Sequence, residues 1–121
     1  MKVSNKLLES ALDNFNDHKD QSYTVNPSLP ILFFGDTEEY FKSEFKVITV
    51  GKNPSNVEFK LKKDDDYSYV RFPDFKNDEP SLLESLNNYF KINPYKQWFN
   101  SFEPFLNGLD GSFYPNGHKN K

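Results

Sequence analysis

The sequence predicts an α/β fold, a parallel sheet covered on both faces by helices, and three observations predict it. Val47, Ile48 and Val50 form a nearly continuous β-branched apolar run within FKVITV, the composition of a strand covered on both sides rather than one with a wet face. That run stops at Gly51 and opens into Lys52, Asn53, Pro54 and Ser55, a polar turn at the strand's carboxyl end, where open α/β sheets bind ligands. Three stretches with apolar residues at helical spacing, 3–17, 81–90 and 94–106, supply the helical cover.

Taken in order, 3–17 reads as a helix because Leu7, Leu8, Ala11, Leu12 and Phe15 share one face. Residues 18–30 turn polar and carry Asn26, Pro27 and Pro30, which marks a loop. The short apolar run 31–34, stopped by Gly35, fits an edge strand or an extended lead-in. Asp36 followed by Glu39 fits a capping box for a helix over 37–43, since an Asp oxygen can accept from the third amide. Residues 45–50 form the central strand. A long irregular stretch, 56–80, follows; its aromatic residues Tyr67, Tyr69, Phe72 and Phe75 argue against full disorder. Leu82, Leu83, Leu86 and Phe90 share a face of the helix over 81–90, which Pro80 opens. In 94–106 Tyr95, Trp98, Phe99, Phe102 and Phe105 repeat at three and four, Pro104 is placed to kink the helix, and Gly108 is a natural end. Residues 111–114 fit the start of another strand.

At 121 residues the chain is one domain, able to bury roughly two thirds of its unfolded surface. It contains no cysteine, which excludes disulfides, thiolate nucleophiles and Cys-based metal sites, and makes it indifferent to redox compartment. The amino terminus is amphipathic and broken by charge, without the apolar core of a secretion signal, and no run is long enough to span a bilayer; a soluble, cytoplasmic protein is expected. A net charge of −3, from 15 basic and 18 acidic residues, argues mildly against non-specific nucleic-acid binding. Lys52, Lys60, Lys62, Lys63 and Arg71 nevertheless cluster around the 51–55 turn, either as a local track for phosphate or as a solvated loop beside Asp64, Asp65 and Asp66.

GKNPS at 51–55, preceded by VITV and followed by EF and by Arg71 and Phe72, resembles the first motif of the uracil-DNA glycosylase superfamily. It is most similar to the branch with a Gly-x-Asn-Pro-Gly or Gly-x-Asn-Pro-Ser turn, to which mismatch-specific uracil and thymine glycosylases belong. FFGD at 33–36, RFP at 71–73, PYKQWF at 94–99 and GSFY at 111–114 are also similar, in this order, to bacterial members, so the resemblance spans residues 29–114. It implies a three-layer α/β/α fold around a parallel sheet. The superfamily's second motif, a His- or Asn-bearing loop after a later strand, has no counterpart, and the candidate strands are too few to complete the sheet. The resemblance is thus to the amino-terminal half of a glycosylase domain, and the 1–121 domain is expected to be partial and truncated.

Excising a base from deoxyribose requires an extruded nucleotide, a stacking face, a positioned water and donors for the departing base. The resemblance puts Asn53 at the water-positioning place. An amide orients water by hydrogen bonds but is a poor general base, which suits a path on which water adds late. Backbone groups of Gly51, Lys52, Pro54 and Ser55 would line the base edge or a phosphate, Phe72 would stack on the base with Phe59 as competitor, and Arg71 would reach a phosphate. The plainer reading is also open: an Asn-Pro turn is ordinary turn chemistry, both phenylalanines can fill a core, and Arg71 can pair with Glu58. Neither a cofactor nor a metal is expected: consecutive aspartates lack the spacing of a calcium loop, and no GxxxxGK[ST], GxGxxG or GxSxG motif is present. Tyr95 and Trp98 read as core, and His18 and His118 as non-catalytic. Two functions follow, a DNA-repair hydrolase acting on uracil or a related damaged base in DNA, or a non-catalytic binding module completed by another chain or by homo-oligomerisation through an open sheet edge.

Overall fold

The computed structural model describes residues 2–52 and 54–115. The predicted parallel sheet, and with it the three-layer α/β/α architecture, is overturned: among the described residues there is no strand, and helices and loops make up the whole fold. In chain order these are α1 (Asn5–His18), α2 (Thr37–Lys42), a 3₁₀ turn (Asn56–Phe59), α3 (Glu79–Asn87), α4 (Tyr89–Ile92) and α5 (Lys96–Gly108).

The helices form where local chemistry asks for them. Ser4 opens α1 by accepting the Leu7 amide, and the helix buries Leu8 and Leu12, four residues apart, against α3. Full burial of each leucine contributes about 2 kcal/mol. Reciprocal amide bonds between Asn16 and Asn77, at 3.3 and 2.8 Å, tie the end of α1 to the loop that leads into α3. Asp36 caps α2 by accepting the Glu38 and Glu39 amides. Asp78 caps α3, with Pro80 in its first turn.

Two boundaries differ from the sequence reading. The helix expected over 81–90 breaks at Asn88, whose φ of −90° and ψ of 3° separate α3 from α4. The helix expected over 94–106 runs Lys96–Gly108 instead, ending on the expected Gly108; past it Asp110 takes a φ of +62°, the Asp110 amide donates to Asn107, and the Gly111 amide donates to Leu106 at 2.8 Å. This is a Schellman closure with an aspartate in the left-handed position usually held by glycine. Residues 31–34 and 111–114, considered as strands, are straps instead. The first inserts Phe34 against Tyr89, centroids 4.2 Å apart, and the Gly35 amide then donates to the Leu86 carbonyl at the end of α3. The second is held by Glu103, whose carboxylate accepts from the Ser112 hydroxyl and the Phe113 amide.

Rings occupy the centre that a sheet would have filled. Phe59, Phe72, Tyr89, Phe99 and Phe113 contact one another in sequence, with centroids 5.0–5.8 Å apart. Tyr89, Phe72, Leu82 and Leu86 are fully buried.

The proposed central strand is the largest departure. Residues 46–51 run without turn, bend or helix, bracketed by bends at Glu44, Phe45 and Lys52, and have no ladder partner among the described residues. Phe45, Ile48 and Val50 are 68, 71 and 85% exposed. A β-branched composition describes a backbone that suits pairing, but the pairing neighbour must come from elsewhere, and this fold does not place one there.

Candidate functional site

Gly51 lies against an aromatic face of α5, and Ser55 borders the 3₁₀ turn. A Cβ added at Gly51 would come within 3.1 Å of the Trp98 ring, so any larger residue would require the indole to give by a few tenths of an ångström. Lys52 and Pro54 are exposed. Ser55 caps the 3₁₀ turn by accepting the Val57 amide at 3.3 Å, and the turn directs Glu58 and Phe59 inward. Asn53, the water-positioning residue of the sequence reading, lies outside the described residues.

The other expected site residues go to the interior. Phe72 is 0% exposed and packed between Phe59 and Tyr89, at 5.7 and 5.6 Å; Phe59 is 6% exposed. Neither ring offers a face to a ligand in this arrangement. Arg71 is 5% exposed and spends its donors on backbone: Nε to the Val57 carbonyl at 3.3 Å, Nη1 to Asn93 at 2.8 Å and Nη2 to Lys60 at 3.3 Å. Its guanidinium also lies 5.3 Å from the Tyr95 ring centroid. The structure therefore gathers Phe59, Arg71 and Phe72 into one buried unit and leaves Lys52 and Pro54 outside it.

Sequence reasoning offered Glu58 only as an exposed partner of Arg71 and missed Tyr89; the two complete this unit. Glu58, 5% exposed, lies 4.0 Å from Arg71 Nε and accepts from the Tyr89 hydroxyl at 2.6 Å, which in turn accepts the Tyr95 amide at 3.0 Å. Burial raises the Glu58 pKa above its ordinary value, outweighing the Tyr89 hydrogen bond and the Arg71 charge, which lower it. Burial and the neighbouring carboxylate raise the Tyr89 pKa far beyond the physiological range, so the hydroxyl stays protonated and donates. Arg71 beside Glu58 was open in the sequence as a surface pair; no local pattern indicates that it is buried. The unit ties the 3₁₀ turn to the α4–α5 joint, and its hydrogen bonds are closed on themselves.

Outside it opens a groove of about 470 Å³, lined by Lys60, Lys62, Lys63, Asp64, Arg71 and Tyr95. Lys60 is committed within it, donating to the Lys63 carbonyl at 2.9 Å and lying 4.7 Å from the Tyr67 ring centroid. Its lysines share the lining with the Asp64 carboxylate and with Asn56, whose amide donates to the Tyr67 hydroxyl at 2.9 Å. A second, shallower cleft of about 400 Å³ between α1 and the start of α3 carries Glu9, Asp13, Asp78 and Glu79, the wrong sign for phosphate. Among the described residues no three histidines or carboxylates are placed to hold a metal ion, and no helix is long and apolar enough to cross a membrane.

What the fold and the site define together is an all-helical unit with an internally satisfied Arg–Glu–Tyr network and an apolar run on its surface. No protein-family profile, curated protein or solved structure matches the chain.

Proposed function

We propose that the chain is a cytoplasmic protein-binding module that receives a β-strand from another chain alongside residues 46–51. The observation that supports this reading is the state of that run. Exposure alternates along it with period two, Val47 and Thr49 half-buried and Lys46, Ile48 and Val50 exposed, which is the side-chain pattern of a strand. Yet its backbone donors and acceptors have no ladder within the described fold. An exposed edge of this kind is the receptor in strand-addition complexes, where backbone bonds supply affinity and alternate side chains supply selectivity.

A second reading, excision of uracil or a related base from DNA, is supported by the GKNPS turn alone. The two are separated by one pair of measurements. A photoreactive amino acid at position 48, activated in intact cells, is expected to give one discrete protein adduct, and the same group at exposed Tyr23 none. Single-stranded DNA carrying one uracil is expected to remain intact with the purified protein. Excision by the wild type that Asn53→Ala abolishes would replace the binding-module reading with the enzymatic one.

A further inference from the structure

We infer that the strand received by residues 46–51 is the same segment of a second copy of this chain, paired antiparallel in a register centred on Ile48; this rests on the binding-module reading above. In that register each residue meets the one equally far on the other side of Ile48, and the segment EFKVITVGK is complementary to itself. Glu44 falls opposite Lys52 just beyond both ends of the run, at the bends that bracket it, so two opposite-charge pairs flank the strands of every dimer. Phe45 falls opposite Gly51, an aromatic over a glycine, which is a known way of covering a glycine in a paired strand. Val47 falls opposite Thr49, and Ile48 meets Ile48, so β-branched side chains face one another across the middle. A shift by one residue would set Lys52 opposite Phe45 and send each apolar side chain to the opposite face.

The structure adds two reasons why this edge is open to such a partner. Natural edges are guarded by charges, often a lysine. Lys46, the first and only charged residue of the run, falls opposite Val50 and is turned back on its own chain, donating to the Ser43 carbonyl and lying 5.8 Å from the Tyr40 ring centroid. The Gly51 end is seated on Trp98, which stacks on Phe102 with centroids 4.7 Å apart; both rings remain partly exposed, at 37 and 40%. The Phe45 ring of the second copy, arriving opposite Gly51, meets this aromatic surface and extends the pairing onto α5.

Charge exchange tests both the partner and the register, because Glu44 and Lys52 are exposed and their replacement leaves the core untouched. In sedimentation equilibrium the wild-type chain is expected to dimerise, and Glu44→Lys and Lys52→Glu are each expected to weaken dimerisation about tenfold or more, since each sets two like-charge pairs across the strands. Mixing the two variants in equal amounts is expected to restore a heterodimer, and the double variant to restore a homodimer, while circular dichroism of all four, diluted to monomer, remains the same helical spectrum. A wild-type chain that stays monomeric, or a dimer insensitive to the exchange, would overturn the inference. The position-48 adduct distinguishes the two levels: an adduct of twice the chain's mass supports both, an adduct of another mass overturns self-pairing and leaves the binding module standing, and the absence of any adduct overturns both.

Discussion

Arg71 shows how burial changes what a residue is for. An exposed arginine near lysines is an anion contact, and its loss costs little stability; here the guanidinium is held by three carbonyls and faces a buried carboxylate. Removing one partner of such a unit leaves the other charged and unpaired in a dry place. Arg71→Ala is therefore expected to destabilise the fold by about 3–5 kcal/mol, read as a lower urea midpoint. A change within about 0.5 kcal/mol, as surface substitutions give, would mean that Arg71 is free for a ligand. Glu58 adds a pH dependence whose sign follows from its raised pKa. The folded state holds the proton more tightly than the unfolded one, so the stabilising contribution is complete below the ordinary carboxyl value of 4.5 and is lost as pH rises through the folded value. Glu58→Gln keeps an acceptor for Tyr89 and cannot titrate. The variant's stability relative to wild type is expected to improve as pH rises above 4.5 and to level off once pH has passed the folded value; a difference that stays constant from pH 4 upward would show that Glu58 is not titrating in a buried setting.

At the scale of elements, the helices are local products and the run at 46–51 is not. Asp36 holds its expected cap, Ser4 and Asp78 cap α1 and α3, and the apolar spacing of α1 and α3 puts Leu8, Leu12, Leu82 and Leu86 inside. The carboxyl end of the run at 46–51 is seated by the close approach of Gly51 to Trp98. Gly51→Ala requires the indole to move by a few tenths of an ångström. Because Trp98 is 37% exposed and has room to shift, the expected cost is about 1 kcal/mol, at the low end of overpacking, together with a change in the fluorescence of the only tryptophan. Unchanged emission would show that the run is not anchored on α5.

For the whole molecule, the consequence of replacing a sheet by an aromatic centre is that stability is concentrated in a few rings. Phe72 touches Phe59 and Tyr89 and through them both halves of the fold, so Phe72→Ala is expected to cost about 3–5 kcal/mol and to erase near-ultraviolet dichroism first. In the intact monomer the amide I infrared band is expected to lack a sheet component. A sheet band that persists on dilution to monomer would contradict the all-helical fold. By itself the sequence determined what depends on neighbours three or four residues away: the approximate extents of α1 and α2, the cap at Asp36, the entry of α3 at Pro80, the core role of Leu8, Leu82, Leu86 and Phe99, and the unusual aromatic load. Only the tertiary structure decided the fate of 45–50, the interior placement of Phe59, Arg71 and Phe72, and the union of Glu58 with Tyr89, residues 31 positions apart. The physical reason is that a helix closes its hydrogen bonds within one segment, whereas a strand, a buried ion pair and a ring cluster each need a partner distant in sequence. No pattern within Val47, Ile48 and Val50 says whether that partner comes from the same chain.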